Sequence, residues 1–194
     1  MKIELPEVHE IDLVKVMYER RSVREFLGEP LTLHELSYLL FAAYGVTDER
    51  GFKTVPSAGA TYPLEIYINV KDVIGLDEGI YKYIPEEHAL LWLSEEEHSK
   101  ELALAALHQM FIAVAPITII IAADFYRTVS VYGERGYRYV YMEVGHSAQN
   151  IYLMATRLNL GTVSVGAFYD DEVKRILNIE EEPLLLMPVG RKKE

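Results

Sequence analysis

Apolar positions near the start of the chain recur at helical spacing. Ile11, Leu13, Val14, Val16, Met17 and Tyr18 form one face of a short amphipathic helix that runs into a cluster of arginines. The stretch Leu27-Gly28-Glu29-Pro30 breaks the pattern, and Thr32 with Glu35 three residues later has the spacing of a capping box. A second helix is therefore predicted over residues 33–44, burying Leu36, Leu39, Leu40 and Ala43, with Gly45 ending it. Residues 64–70 read as a strand, and residues 79–84 and 89–93 as a hairpin turning through Pro85 to His88. Ser94, answered by Glu97, is expected to cap a helix whose buried face is Leu102, Leu104, Ala105 and Leu107. The β-branched run over residues 117–123 suits a central strand covered on both sides.

The longest helical pattern covers residues 136–160, with Tyr137, Val140, Tyr141, Val144, Ala148, Ile151, Ala155 and Leu158 at alternating spacings of three and four. At 1.5 Å per residue it is about 35 Å long, enough to be the spine of the fold or of a subunit interface. Gly145, Ala148 and Ala155 permit a close helix approach. Gly161 is expected to terminate this helix, residues 162–168 to be extended, and Asp170-Asp171-Glu172 to open a short helix at the end its dipole favours for acids. An apolar strand from Pro183 to Arg191 closes the pattern.

Composition narrows the class. The 194 residues carry no evident linker, so a single domain over residues 1–194 is expected. The net charge of −11 argues against general nucleic-acid binding, although a local basic pocket is allowed. With no cysteine, thiolate metal sites, iron–sulfur clusters and cysteine nucleophiles are excluded, and redox chemistry would need a cofactor. The first residues, Met1-Lys2-Ile3-Glu4-Leu5-Pro6, do not read as a signal peptide, and the apolar run over residues 112–123 is broken by Pro116 and too short to span a bilayer. A cytoplasmic protein is expected. His34, His88, His98, His108 and His146 are scattered, and no metal site is expected.

Two stretches carry candidate chemistry. Arg20-Arg21-Ser22-Val23-Arg24 places three guanidinium forks and a hydroxyl within five positions, a donor set that matches phosphate oxygens; ion pairs with Glu19, Glu25 and Glu29 are the alternative. Residues 55–63 form a loop of small side chains bracketed by Pro56 and Pro63, where backbone N–H groups could approach a ligand closely; an ordinary turn ahead of a strand is the alternative.

Taken in order, Arg20-Arg21-Ser22-Val23-Arg24-Glu25-Phe26, Pro56-Ser57-Ala58-Gly59-Ala60-Thr61-Tyr62-Pro63, Ala148-Gln149-Asn150-Ile151-Tyr152-Leu153 with Val165-Gly166-Ala167-Phe168, and Pro188-Val189-Gly190-Arg191 resemble the FMN-dependent nitroreductase family over almost the whole chain. The loop motif, with Gly136-Tyr137-Arg138-Tyr139 and Gly145-His146-Ser147, is most similar to the branch containing peptide thiazoline and oxazoline dehydrogenases. The resemblance implies an α+β fold with a central, mostly antiparallel sheet flanked by helices, in an intertwined homodimer with two FMN sites at the subunit interface. By the same resemblance Arg20, Arg21 and Ser22 meet the FMN phosphate and ribityl chain, Arg191 returns to the phosphate, and Arg24 lies near the pyrimidine edge. Pro56, Ser57 and Gly59 come from the other subunit, and Val165, Gly166 and Ala167 lie along the ring, offering an N–H to N5.

The implied reaction is NAD(P)H-driven, two-electron reduction of a nitroaromatic, quinone or related acceptor, by ping-pong hydride transfer through flavin N5. NADH or NADPH is the donor. A cation near the ring stabilises the negative charge that reduction leaves, a role that falls to Arg24. Because the flavin does the redox work, no strict catalytic residue is assigned, and Tyr132 is a candidate on the substrate side. One departure bears on the dehydrogenase branch, whose members tend to carry a lysine where this chain has Val131. Two alternatives therefore stay open, a flavin-dependent dehydrogenase of a peptide or natural-product azoline ring and a non-catalytic flavin-binding regulatory dimer.

Overall fold

The computed structural model describes residues 2–6 and 13–193. Ile11 of the first predicted helix lies outside the described residues, and the rest of that helix is α1 (Leu13–Glu19). At the centre is a seven-stranded sheet in the order β1 (Lys2–Glu4), β6 (Ala89–Ser94), β5 (Gly79–Ile84), β3 (Leu64–Val70), β7 (Ile117–Ala123), β9 (Glu182–Arg191) and β8 (Leu160–Thr162). Every neighbouring pair in it is antiparallel. A separate parallel pair joins β2 (Leu31–Thr32) to β4 (Val73–Ile74).

The run of isoleucines does what its pattern implies. All seven residues of β7 are buried, and alternate ones face opposite layers. Ile117, Ile119 and Ile121 pack with Leu36, Leu39 and Leu40 of α2 (Leu33–Tyr44) and with Val144, Ala148 and Ile151 of α6 (Arg135–Arg157). Ile120 and Ala122 point the other way, onto Leu102 of α3 (Ser99–Ala105) and Val173 and Leu177 of α7 (Asp170–Leu177). Each fully buried isoleucine is worth about 1.5–3 kcal/mol, so the strand anchors both layers at once. Among the described residues no helix is long and apolar enough to cross a membrane.

The capping box forms as its spacing requires. Thr32 Oγ1 accepts from the Glu35 N–H at 3.2 Å, and Glu35 Oε2 accepts from the Thr32 N–H at 2.8 Å. Two other boundaries differ from the sequence expectation. Ser94 does not cap a helix; it stays in β6, paired with Ile80, and α3 begins at Ser99. The buried Asn69 of β3 sets that start by accepting the His98 N–H at 2.6 Å and donating to Ser99 Oγ at 2.9 Å. The buried face of this segment is accordingly Leu102, Ala103, Ala105 and Ala106, while Leu104 and Leu107 are exposed. Gly161 does not terminate the long helix. Asn159 takes the left-handed conformation at φ 57°, and Gly161 lies in β8, where a Cβ would sit 2.6 Å from Val23 Cγ1. Tyr137 and Tyr141 are exposed on α6, with Phe125 of α5 (Phe125–Tyr132) packed against both rings.

Candidate functional site

The arginine cluster is held at one end of the sheet by backbone pairing. Ser22 bridges Thr162 in β8, the Val23 N–H donates to Thr162 O at 2.9 Å, and Leu27 N–H donates to Arg191 O at 3.1 Å. The close approach of Val23 is what leaves no room for a side chain at Gly161. Arg21 Nη1 donates to the carbonyls of Arg20 and Tyr18 at 2.7 and 3.1 Å, satisfying acceptors at the end of α1. Arg24 is exposed and has no hydrogen-bond or ion-pair partner among the described residues.

Tyr152, on α6, joins this cluster to the segment that follows β8. Its hydroxyl accepts from the Ser164 N–H at 2.8 Å and lies 3.0 Å from Ser22 Oγ, while the Arg20 guanidinium stands over its ring, 5.2 Å from the centroid. Burial pushes the phenol pKa up, but its hydrogen bonds with Ser22 and Ser164 and the charge of Arg20 outweigh this and hold it below its ordinary value. Beyond Ser164, Val165 is bridged to Leu186 of β9, and Gly166 and Ala167 are exposed, with Gln109 Nε2 donating to Ala167 O at 3.3 Å. Arg20, Ser22 and residues 164–167 are thus gathered in one corner. In the sequence Tyr152 stands only within the stretch from Ala148 to Leu153, with no role assigned to it.

Arg191 reaches the same corner through its backbone, but its side chain is engaged elsewhere. Nη1 and Nη2 bond Glu35 Oε1 and Oε2 at 2.6 and 3.0 Å, a bidentate pair with the carboxylate that also caps α2. Burial pushes the Glu35 pKa up, and the bonds from Arg191 and Thr32 more than reverse it, so the carboxyl is held below its ordinary value.

The loop over residues 56–63 forms a second piece. It contains a single 3-10 turn, Ala58–Ala60, and takes positive φ at Gly59, Ala60 and Tyr62 (60°, 52° and 44°). Such conformations cost energy for residues with a Cβ and persist when their surroundings hold them. Here Ser57 Oγ accepts from the Tyr62 N–H at 2.9 Å, Thr61 Oγ1 bonds Thr128 Oγ1 at 2.7 Å, and Arg127 Nη1 donates to Tyr62 O at 2.9 Å. A Cβ on Gly59 would lie 2.6 Å from Tyr132 Oη, so the substrate-side candidate and the loop are neighbours. Val131 is exposed beside them. Beneath the loop, Glu143 of α6 is buried and accepts from Tyr44 Oη at 2.6 Å. Burial raises its pKa, and the bonds from Ser57 and Tyr44 only partly offset this.

The two pieces sit apart within the chain. Tyr132 packs edge-on against Tyr139 at 5.1 Å, so Gly59 lies near the start of α6, whereas Tyr152 lies near its end. From Tyr139 to Tyr152 the helix rises about 20 Å.

The family model described as the nitroreductase family matches residues 17–191. The chain belongs to the nitroreductase family. It is 70% identical over 194 residues to the protein MJ1384 of Methanocaldococcus jannaschii, which carries a nitroreductase name, covering 100% of this chain and 98% of that one. The microcin B17-processing protein McbC of Escherichia coli is 24% identical over 170 residues, 82% of this chain and 62% of McbC. Among solved structures, a nitroreductase-named protein from Anabaena variabilis superimposes with a TM-score of 0.89 at 31% identity, over 100% of this chain and 42% of its own. The NADPH:FMN oxidoreductase of Vibrio harveyi shares the fold, with a TM-score of 0.67 at 16% identity over 94% of this chain and 69% of its own. The nitroreductase fold and the α+β, mostly antiparallel architecture read from the sequence agree with these likenesses, and the family is one of oxidoreductases.

Proposed function

We propose that the protein is an FMN-dependent NAD(P)H oxidoreductase that works as a homodimer on a small acceptor such as a nitroaromatic or quinone. The observation that carries this reading is the corner where Arg20 and Ser22 meet residues 164–167 through Tyr152. The donors there fit a phosphate-bearing flavin. The Arg20 guanidinium and the Ser22 hydroxyl lie beside Tyr152 at one end, and the backbone at Gly166 and Ala167 is exposed at the other. Arg20, Arg21 and Ser22 would hold the phosphate and ribityl chain, Val165, Gly166 and Ala167 the ring edge, and Arg24, with no other partner among the described residues, would lie by the pyrimidine edge. Arg191 would join the phosphate ligands while keeping its Glu35 pair. When bound, FMN supplies the redox chemistry by taking two electrons from a nicotinamide and passing them to the acceptor.

Two copies with their α6 helices running in opposite directions would bring Pro56, Ser57 and Gly59 of one against the Arg20 corner of the other, which accounts for the separation of the two pieces within one chain. Purified protein should carry, or take up, FMN and lose the oxidised flavin spectrum on anaerobic addition of NADH or NADPH. A colourless protein that retains no FMN on reconstitution ends this reading; flavin that binds but is never reduced favours a binding protein.

The likeness to McbC favours a second reading, oxidation of an azoline ring in a peptide or natural product. Tyr132 is placed against Gly59 where such a substrate would enter, but the exposed Val131 offers no base. Oxygen-dependent conversion of an azoline-containing peptide by the flavin-loaded protein would select this reading over the first.

A further inference from the structure

We propose that Tyr152 is a positioning residue that relays a hydrogen bond from the Ser164 backbone to the Ser22 hydroxyl, aiming Ser22 as a donor at the phosphate of a ligand beside Arg20. The proposal rests on the flavin reading above and adds a residue to it.

The direction of the relay follows from which groups must donate. The Ser164 N–H, 2.8 Å from Tyr152 Oη, can only donate, so the phenol oxygen is an acceptor there. The phenol proton then needs an acceptor of its own, and Ser22 Oγ lies at 3.0 Å. A phenol is the stronger acid of the two hydroxyls, so it donates to the serine. With one lone pair occupied in this way, the Ser22 proton is turned away from Tyr152. Ser22 is exposed, and the Arg20 guanidinium stands over the tyrosine ring at 5.2 Å, so a charged donor flanks the same spot. Donors chained head to tail polarise one another, and the last one strengthens. The reverse polarity would leave the tyrosine oxygen accepting from both Ser22 and the Ser164 N–H, with its own proton turned to the Ser164 hydroxyl.

The same hydroxyl fixes a distance. Ser22 is tied to Thr162 by backbone pairing, Ser164 lies two residues further on, and Tyr152 spans the two from α6. The phosphate end and the ring end of the corner are thereby held as one unit.

Tyr152→Phe keeps the ring beneath Arg20 and removes only the relay. Affinities for FMN and for riboflavin, which lacks the phosphate, are compared by flavin fluorescence titration of the reconstituted protein. The expected result is an FMN dissociation constant about tenfold weaker, the size of one hydrogen bond to a charged group, with riboflavin changed by less than about twofold. Ser22→Ala should produce the same selective loss, and adding Tyr152→Phe to it should produce no more. Equal losses for FMN and riboflavin, or losses that add in the double variant, overturn the relay and leave Tyr152 as a structural tie. If Tyr152→Phe does not fold, Ser22→Ala decides, since an unchanged preference for FMN over riboflavin leaves the relay without an end point and overturns it. Wild-type protein that binds neither flavin refutes the flavin reading instead. The relay is then read with inorganic phosphate by phosphorus NMR, where weaker binding to Tyr152→Phe supports it and no binding to wild type overturns it.

Discussion

At the scale of single residues, the side chains that matter most pair across long stretches of sequence. Glu35 is the clearest case, because one carboxylate caps α2 and holds Arg191 in a bidentate pair, 156 residues away. Its folded pKa is depressed, so the stability it contributes is present above its unfolded value, near 4.3, and is lost as pH falls through the folded value. Glu35→Gln should therefore cost about 1–2 kcal/mol at pH 7, the range for a cap and a charge-assisted bond in a partly exposed site. The gap to wild type should narrow toward pH 3. Urea unfolding at the two pH values measures it, and a gap that stays constant would mean that the ionised pair is not its source. Glu143 has the opposite sign: its raised folded pKa gives stability below the unfolded value that fades as pH rises. None of these pairs was legible beforehand. Tyr152 and Ser22 are 130 positions apart and Tyr44 and Glu143 are 99 apart, and periodicity carries no signal about which polar groups meet at such separations.

At the scale of elements, the sequence was read well where local chemistry decides and poorly where a neighbour decides. The Thr32 and Glu35 pair and the isoleucine run of β7 carry their own instructions, and both formed as expected. Ser94 had the same cap spacing with Glu97, yet pairing with β5 kept it in the sheet and Asn69 set the helix start four residues later than Glu95 would have begun it. Gly161 looked like a helix stop because glycine often is one, whereas here it makes room for Val23. The loop over residues 56–63 announced itself through small residues and prolines, but its strain and its hold on α5 did not. Gly59→Ala tests that hold, since φ of 60° and a Cβ 2.6 Å from Tyr132 Oη both oppose it. We expect a loss of about 1–2 kcal/mol, comparable to the cost of placing a Cβ in the left-handed region. Adding Tyr132→Phe removes the nearest clashing atom and should restore part of the loss, leaving the backbone cost. A double variant no more stable than Gly59→Ala alone would place the whole penalty in the backbone.

At the scale of the molecule, the two pieces of the proposed site lie apart within one chain, and α6 offers an exposed surface on which the proposed second copy would sit. Arg138, Met142, Gly145 and Gln149 follow one another at helical spacing on its exposed side. Gly145 has open space where a Cβ would go, with no heavy atom within 4 Å among the described residues. Gly145→Leu therefore gives opposite results for the two assembly states. In a monomer the side chain meets nothing, and replacing glycine within a helix should stabilise the fold by about 0.5–1 kcal/mol. In a homodimer whose helices cross at Gly145, the leucine holds the backbones apart, so the sedimentation coefficient should fall to that of a monomer. FMN should be released with it, because residues 56–59 of the partner leave the Arg20 corner. Dimer and flavin lost together, with helical circular dichroism retained, is the outcome expected of a site shared between subunits. A Gly145→Leu protein that is more stable, unchanged in sedimentation and still flavin-bound would mean that the pieces are joined some other way.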